Sequence, residues 1–427
     1  MDSGTALLVQ RRQYTDPNLL SEFEALATTS GHEVVGTFDV VSPPSAKFGI
    51  RSGKVEEIGT WIKINEPDFV LFSPQLKSSQ VFRLMEEWGV EVRDRTQVIL
   101  QIFDRHAKTQ QAKLMVEQAR LSYELPFERH QIRMRLQKEH TGDRPVAEQV
   151  GAGEDLLNLR IKEIRRRVAA IEAKLRKITE AQSLKRKRRV HRGFLEVTLA
   201  GYTNAGKSTL HNAFTGSEAK IADELFTTLS TKARELSIPG RQVVLSDSVG
   251  FISDLPRPLL KAFNTTLLEL SNASTIILVV DGSDTPREMM RKLHTCLDTF
   301  VDIKVNDIHR IIALNKVDLL SPDEIAARIK LLEKEDNTVI PVSGLKGTNL
   351  DALLLAIDES LPKIYRYSIE FEYNDSTMSV LSWLHENGYV ESQDFTGNNV
   401  VVQAILNDVA LQKLSKRLPE ARLHRIE

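Results

Sequence analysis

Gly201-Tyr202-Thr203-Asn204-Ala205-Gly206-Lys207-Ser208 spells the phosphate-cradling pattern G-x-x-x-x-G-K-[ST]. The run Phe194–Ala200 before it reads as a buried strand, and Thr209 to Phe214 after it opens a helix. That context gives the pattern its meaning: the glycines let backbone N–H groups close around a phosphate at the positive end of a helix. Residues 201 to 209, Thr209 included, are therefore the expected phosphate contacts. Lys207 would neutralise β- and γ-phosphate charge, and the Ser208 hydroxyl would ligate Mg²⁺.

Working outward, three downstream stretches fit the same chemistry. Gln242–Ser246 is a second apolar strand, ending in Asp247-Ser248-Val249-Gly250. A carboxylate at Asp247 suits an outer-sphere Mg²⁺ ligand, and Gly250 can turn its N–H toward a γ-phosphate. Ile311–Leu314 is another strand, ending in Asn315-Lys316-Val317-Asp318. Asp318 can accept both the ring N–H and the exocyclic amine of guanine, whereas adenine presents the opposite pattern. A further strand from Val339 brings Ser343 and Gly344 near the base. This ordered set is that of the small GTPases and implies GTP and GDP as ligands.

The 427 residues leave room for two to four domains. Hydrophobic content of 41% and charged content of 27% are those of a soluble globular protein. A formal net charge of −1 gives no overall bias toward nucleic acid, so any such bias is local. The single cysteine, Cys296, excludes an intramolecular disulfide and fits a reducing compartment. No signal-like start and no run of 18 apolar residues occurs. The expected location is the cytoplasm, without a membrane span.

Residues 5 to about 100 alternate apolar strands (Ala6–Val9, Phe69–Phe72) with amphipathic helices (Leu19–Thr28, Ser79–Trp88) that Gly31 and Gly89 stop. That alternation predicts a small parallel sheet. From Phe103 to Leu125 the pattern is helical, and a basic loop of about thirty residues, Pro126–Gly153, is expected to follow. Then Leu157, Ile161, Ile164, Val168, Ile171, Leu175 and Ile178 repeat with spacings of 4, 3, 4, 3, 4 and 3, an a/d seam. Pairing with the Phe103–Leu125 helix would make an antiparallel hairpin; an intermolecular coiled coil is the alternative.

This second arm is basic. From Arg160 to Arg192 there are fourteen Lys or Arg against Glu163, Glu172 and Glu180, a local balance of +11. The arm ends in Lys185-Arg186-Lys187-Arg188-Arg189. Charge of one sign along a whole arm repels itself unless something anionic compensates it, and phosphate backbone is the obvious candidate. Beyond Pro362, a strand over Tyr367–Tyr373, a helix over Met378–Asn387, a strand over Asn399–Ala404 and a helix over Ala410–Arg417 predict a small α+β module.

Several stretches resemble the HflX family of ribosome-associated GTPases. They are Asp94-Arg95-Thr96 followed by Ile99–Phe103, Lys113–Glu117, Gly151-Ala152-Gly153-Glu154, Leu225-Phe226-Thr227-Thr228-Leu229, and Asp247–Ile252 with Leu255-Pro256. The resemblance spans roughly residues 1 to 362. It implies an α/β protein in which a small N-terminal α/β domain (1–100) precedes the basic helical hairpin (101–192). A P-loop GTPase domain with a mostly parallel sheet (193–362) follows. The C-terminal α+β domain (363–427) rests on the residue pattern alone and lies beyond the resemblance. It also implies binding to rRNA of the large ribosomal subunit, with dissociation or rescue of stalled or idle ribosomes as the activity. A nucleotide-gated RNA-binding or ribosome-assembly switch is the competing expectation, and a monomer is expected in either case.

Catalysis is expected to rest on Lys207, Gly250 and Thr228, the expected switch-I residue, with Mg²⁺ held by Ser208, Thr228 and Asp247. Phe251 stands where many GTPases carry a water-orienting Gln, so intrinsic hydrolysis should be slow and stimulated by ribosomes. Related potassium-activated GTPases carry a metal-ligating Asn where Asn204 stands, which makes K⁺ a further candidate cofactor.

Overall fold

The computed structural model describes residues 3–139, 146–191, 194–216, 225–226, 232–239, 241–253, 270–305, 307–333, 338–374 and 376–426. The chain divides into two compact units. The first holds the N-terminal 178 residues together with Leu225 and Phe226; the second holds the remaining sheets.

In the first unit, β1 (Thr5–Arg12), β2 (Glu33–Val41), β3 (Phe69–Ser73) and β4 (Glu91–Asp94) form a parallel sheet of order β2-β1-β3-β4. Helices α1 (Leu20–Ser30), α2 (Ser52–Asn65) and α3 (Ser78–Trp88) connect the strands. The expected parallel sheet is present, and β2, β4 and α2 add to the elements its sequence foretells. Gly31 (φ 93°) and Gly89 (φ 69°) take the left-handed conformation that ends α1 and α3. Leu7, Val9, Ile58, Val70, Phe72 and Leu84 form the core.

Two helical expectations need correction. The Phe103–Leu125 stretch is not one helix: Phe103 belongs to α4 (Arg95–His106), and α5 (Gln110–Glu139) starts anew. The Pro126–Gly153 stretch is not a loop of thirty residues. Helix α5 runs through Pro126 to Glu139, and α6 spans Val146–His191. The charged run after Pro126 is rich in Glu, Gln, Arg, Met and Leu, whose intrinsic helix propensity outweighs one proline.

The seam of α6 is filled from within the chain. Ile164, Ile171 and Leu175 are buried, as are Met115, Val116 and Ala119 of α5. Arg167 pairs with Glu117, and Gln118 donates to Glu172 at 3.1 Å. Glu117 lies 22 residues before Glu139, and Arg167 lies 21 residues after Val146. That symmetry is what an antiparallel pair with a short connection produces.

In the second unit a six-stranded sheet has the order β10-β9-β8-β5-β7-β6. Its strands are β5 (Leu195–Gly201), β6 (Lys232–Ile238), β7 (Arg241–Asp247), β8 (Thr275–Asp281), β9 (Arg310–Asn315) and β10 (Thr338–Pro341). All pairings are parallel except β6 with β7. Sheets covered on both faces read as continuous apolar runs, and β8 is one: six of its seven residues are buried. Helices α7 (Lys207–Thr215), α8 (Pro286–Asp302), α9 (Pro322–Leu332) and α10 (Leu350–Ser360) belong to the same domain.

The C-terminal module runs β11 (Ile364–Glu372), α11 (Thr377–Asn387), β12 (Tyr389–Thr396), β13 (Asn399–Asn407), α12 (Asp408–Arg417) and β14 (Arg422–Arg425). With strand order β12-β13-β11-β14, all antiparallel, it is a split βαβ fold of ferredoxin-like type. The expected α+β character holds, with two edge strands, β12 and β14, that the sequence pattern did not disclose.

Candidate active site

The site lies at the carboxyl ends of the parallel strands, where an open α/β sheet places its ligand. Strand β5 sits between β7 and β8, so the loop leaving it opens at the point where the chain crosses from one side of the sheet to the other. Gly201 (φ 146°) and Gly206 (φ 91°) are required there. A Cβ on Gly201 would meet the Val279 carbonyl oxygen at 2.3 Å, and one on Gly206 would meet Asn315 Nδ2 at 2.1 Å. Helix α7 begins at Lys207 with no side-chain cap, so its positive end is left for an anion.

Lys207 is buried, and its ammonium donates to the carbonyls of Gly201 (3.1 Å) and Tyr202 (2.7 Å). Burial pushes its pKa down, opposed by the nearby Asp247. The Ser208 hydroxyl donates to Asp247 Oδ2 at 2.8 Å, which brings two expected Mg²⁺-site residues together. A hydroxyl and a carboxylate are the hard oxygen donors that Mg²⁺ takes, so the pair fits the ion. Gly250 follows closely: a Cβ there would lie 2.9 Å from Lys207 Nζ and from Thr203 Cγ2. Asn204 is exposed and has φ 62°.

On the base side one asparagine joins the loops. Asn315 donates to the Ala205 carbonyl at 2.9 Å and accepts from the Gly344 N–H at 3.0 Å. Lys316 (φ 65°) pairs with Asp281 at 2.7 Å, and Asp318 stands exposed in a 3₁₀ turn. Ser343 is buried, its hydroxyl accepting from the Lys346 N–H at 3.1 Å, and its backbone exchanges two bonds with Thr348. Asp281, at the end of β8, was not singled out from sequence. Its clue was present, since a buried apolar run ending in Asp repeats the β7 pattern.

Thr228 lies outside the described residues. Its near neighbours Leu225 and Phe226 are buried in the first unit, where the Phe226 ring meets Phe103 edge-on at 4.6 Å. Of the other expected site residues, 201–209, Asp247, Gly250, Asn315, Lys316, Asp318, Ser343 and Gly344 all fall on the carboxyl ends of strands, on the turns that follow them or on the first turn of α7 at this end of the sheet.

A phosphate cradle tied to a guanine-type loop through a shared asparagine is the arrangement of P-loop GTPases, and this protein is one of them. Three regions match family descriptions: residues 18–104 "GTP-binding GTPase N-terminal", 106–189 "GTP-binding GTPase Middle Region", and 196–316 "50S ribosome-binding GTPase". GTPase HflX of Thermococcus kodakarensis is 33% identical over 88% of this chain and 86% of its own length. The Akkermansia muciniphila GTPase HflX is 32% identical over 95% of both chains. Among solved structures, a GTP-binding protein from Sulfolobus solfataricus in complex with GDP is 26% identical, with TM-score 0.44 over 83% of this chain and 98% of its own. The chain belongs to the HflX family of GTPases.

Proposed function

We propose that this GTPase acts on ribosomes: it binds the large subunit through rRNA contacts of the α5–α6 hairpin and drives stalled or idle ribosomes apart. The observation that supports this reading best is the outer surface of α6. Lys162, Arg165, Arg166, Lys174, Arg176, Lys177 and Lys185 are exposed while the apolar seam turns inward. The side chains of Arg186, Lys187 and Arg188 lie outside the described residues. The match of residues 196–316 to a family described as ribosome-binding points the same way.

The nucleotide chemistry follows from the site residues as assigned above. Asp318 would select guanine, Asn315 would keep the base loop and phosphate loop in register, and Lys207 would turn from the Gly201 and Tyr202 carbonyls to the β- and γ-phosphates. Ser208, Asp247 and Thr228 would hold Mg²⁺, which neutralises phosphate charge. Phe251 offers no hydrogen bond to a water, so intrinsic turnover is slow and the ribosome supplies what the chain lacks. Among the described residues no helix is long and apolar enough to cross a membrane, and a monomer acting in the cytoplasm is the form proposed.

The test is sedimentation of intact ribosomes with this protein and non-hydrolysable GTP. Separation into subunits that requires the nucleotide is expected. Ribosomes that stay intact while the protein co-sediments with them would instead favour an RNA-binding switch.

A further inference from the structure

The C-terminal module has a four-stranded antiparallel sheet, an architecture that some RNA readers use by stacking bases on sheet aromatics. Its own sheet is unsuited to that. Tyr367, Ile369, Phe371, Val400 and Val402 turn into the core beneath the two helices. By alternation the central strands β11 and β13 place Ser368, Glu370, Val401 and Gln403 on the other face, with no aromatic ring among them. The charge is also wrong for nucleic acid. From Tyr367 to Gln412 there is no Lys or Arg, against seven Asp or Glu. At the chain's average of 57 in 427, about six cations would fall there.

Strand β12 lies at the edge of this acidic region and, among the described residues, ladders only with β13. Tyr389 and Val390, at its start, line a cleft against the β6–β7 hairpin. Beyond them Glu391, Gln393, Asp394 and Phe395 are exposed. Gly397 (φ 62°) and Asn398 form a two-residue turn, which makes Thr396 and Asn399 the closing hydrogen-bonded pair. Hydrogen-bonded and open pairs alternate from there, so Gln393 and Phe395 turn their main-chain N–H and C=O groups outward. Sheet edges are commonly guarded by Lys, Pro or short length. The eight residues of β12 include neither Lys nor Pro, and its one bulge, at Glu391, precedes the free stretch. Arg366 already holds Glu391 at 2.8 Å. At the far end Phe395 (53% exposed) and Tyr373 (56% exposed) meet edge-on, ring centroids 6.2 Å apart.

We propose that β12 is a docking edge for an extended, Lys/Arg-rich segment of another protein, which adds as a fifth strand beside Gln393 and Phe395. Main-chain bonds to the outward groups give affinity, as in other strand additions. Asp394 takes a cationic side chain, and the exposed faces of Tyr373 and Phe395 take the charge or stem of another. Charge complementarity selects this occupant. A phosphate backbone is repelled along the acidic stretch, and two β12 edges pairing with each other would bring like charges together. The inference rests on the C-terminal module alone and not on the ribosomal reading.

The test uses the full chain and a synthetic eight-residue peptide alternating arginine with valine. A glutamate–valine peptide and a single-stranded RNA oligonucleotide are the other arms. The arginine peptide should protect the Gln393 and Phe395 amides from hydrogen exchange, and the other two should not. Asp394→Lys should weaken binding of the arginine peptide about fivefold. Gln393→Pro, which removes an outward N–H that β13 does not use, should weaken it about tenfold. Both variants should keep the GDP affinity of wild type. Protection of these amides by RNA and not by the arginine peptide would give the edge to nucleic acid and overturn the proposal. Protection that rises with protein concentration alone would give it to a second copy, with the same consequence. No binding at about 1 mM arginine peptide, or binding unchanged in both variants, would overturn it too. If Gln393→Pro does not fold, Asp394→Lys and the exchange pattern decide.

Discussion

The phenol of Tyr123, on α5, donates a hydrogen bond of 2.5 Å to the buried carboxylate of Asp94 at the end of β4. Asp94 also caps α4, accepting from the Gln97 N–H, and accepts from the Leu76 N–H, each at 3.1 Å. One carboxylate thus ties the sheet, the loop before α3, the start of α4 and the first arm of the hairpin. Removing its phenol partner leaves a buried acceptor short of one donor. Tyr123→Phe should therefore cost about 1–2 kcal/mol in the first unit, seen as an earlier first transition in thermal or urea unfolding of the full chain.

The same carboxylate gives a pH dependence. Burial is the largest influence on Asp94 and raises its pKa above the ordinary 3.8, against the pull of Tyr123, Leu76, Gln97 and Thr96. The folded state then holds its proton more tightly than the unfolded chain. The stability this group contributes is complete below the unfolded value and is lost as pH rises through the folded one. Asp94→Asn abolishes that titration. The stability margin of wild type over Asp94→Asn should therefore shrink as pH is raised from about 4 toward neutrality, measured as paired urea midpoints. A margin that widens over that range would reverse the assignment.

Asp318 is exposed at the mouth of the base loop, consistent with a carboxylate kept for a ligand. If Asp318 pairs with guanine as proposed, losing those bonds leaves polar groups of the base without partners, at a cost of about 2–3 kcal/mol. Asp318→Asn should weaken GTP binding accordingly and shift preference toward xanthine nucleotides. Titration calorimetry with GTP and XTP checks this, and equal GTP affinity in the variant would displace Asp318 from the base pocket.

Much of this site is legible in the sequence because phosphate and guanine recognition depend on short local patterns. Gly201, Asp247 and Asn315 each end an apolar run, Lys207 and Asp318 follow within a few residues, and the sheet brings those ends together. What lay hidden depends on long-range packing. Arg291 joins Ser253 and Tyr202 across 38 and 89 positions, and nothing in the Pro286–Asp302 helix pattern marks it as different from a solvated arginine. The sequence pattern places a loop from Pro126 onward, whereas the helix formers after it carry α5 on to Glu139. Edge strands β12 and β14 escaped because exposed residues interrupt their alternation.

Exposed Lys162, Arg165 and Arg166 lie on the α6 surface proposed to meet rRNA. Each phosphate they neutralise releases counterion, so binding to large subunits should fall steeply with salt. Replacing all three by Gln should lower the slope of log affinity against log salt by about 2–3 while nucleotide affinity stays intact. If the slope in the variant equals that of wild type, these residues only solvate the helix.

Phe251 is buried against Phe300 and presents no group to orient a water, so charge stabilisation must come from elsewhere. Asn204 is the exposed residue of the phosphate loop, and its left-handed backbone (φ 62°) is a conformation that asparagine tolerates better than most residues. An amide oxygen there could hold a potassium ion beside the phosphates, where it would offset transition-state charge as an arginine finger does. Steady-state GTP hydrolysis in KCl should then exceed that in NaCl at equal ionic strength, with and without large subunits. Asn204→Ala should erase the difference while leaving GDP affinity within a few fold. Equal rates in the two salts for wild type and variant alike would remove the cation from the mechanism and leave Asn204 as a residue that shapes the loop.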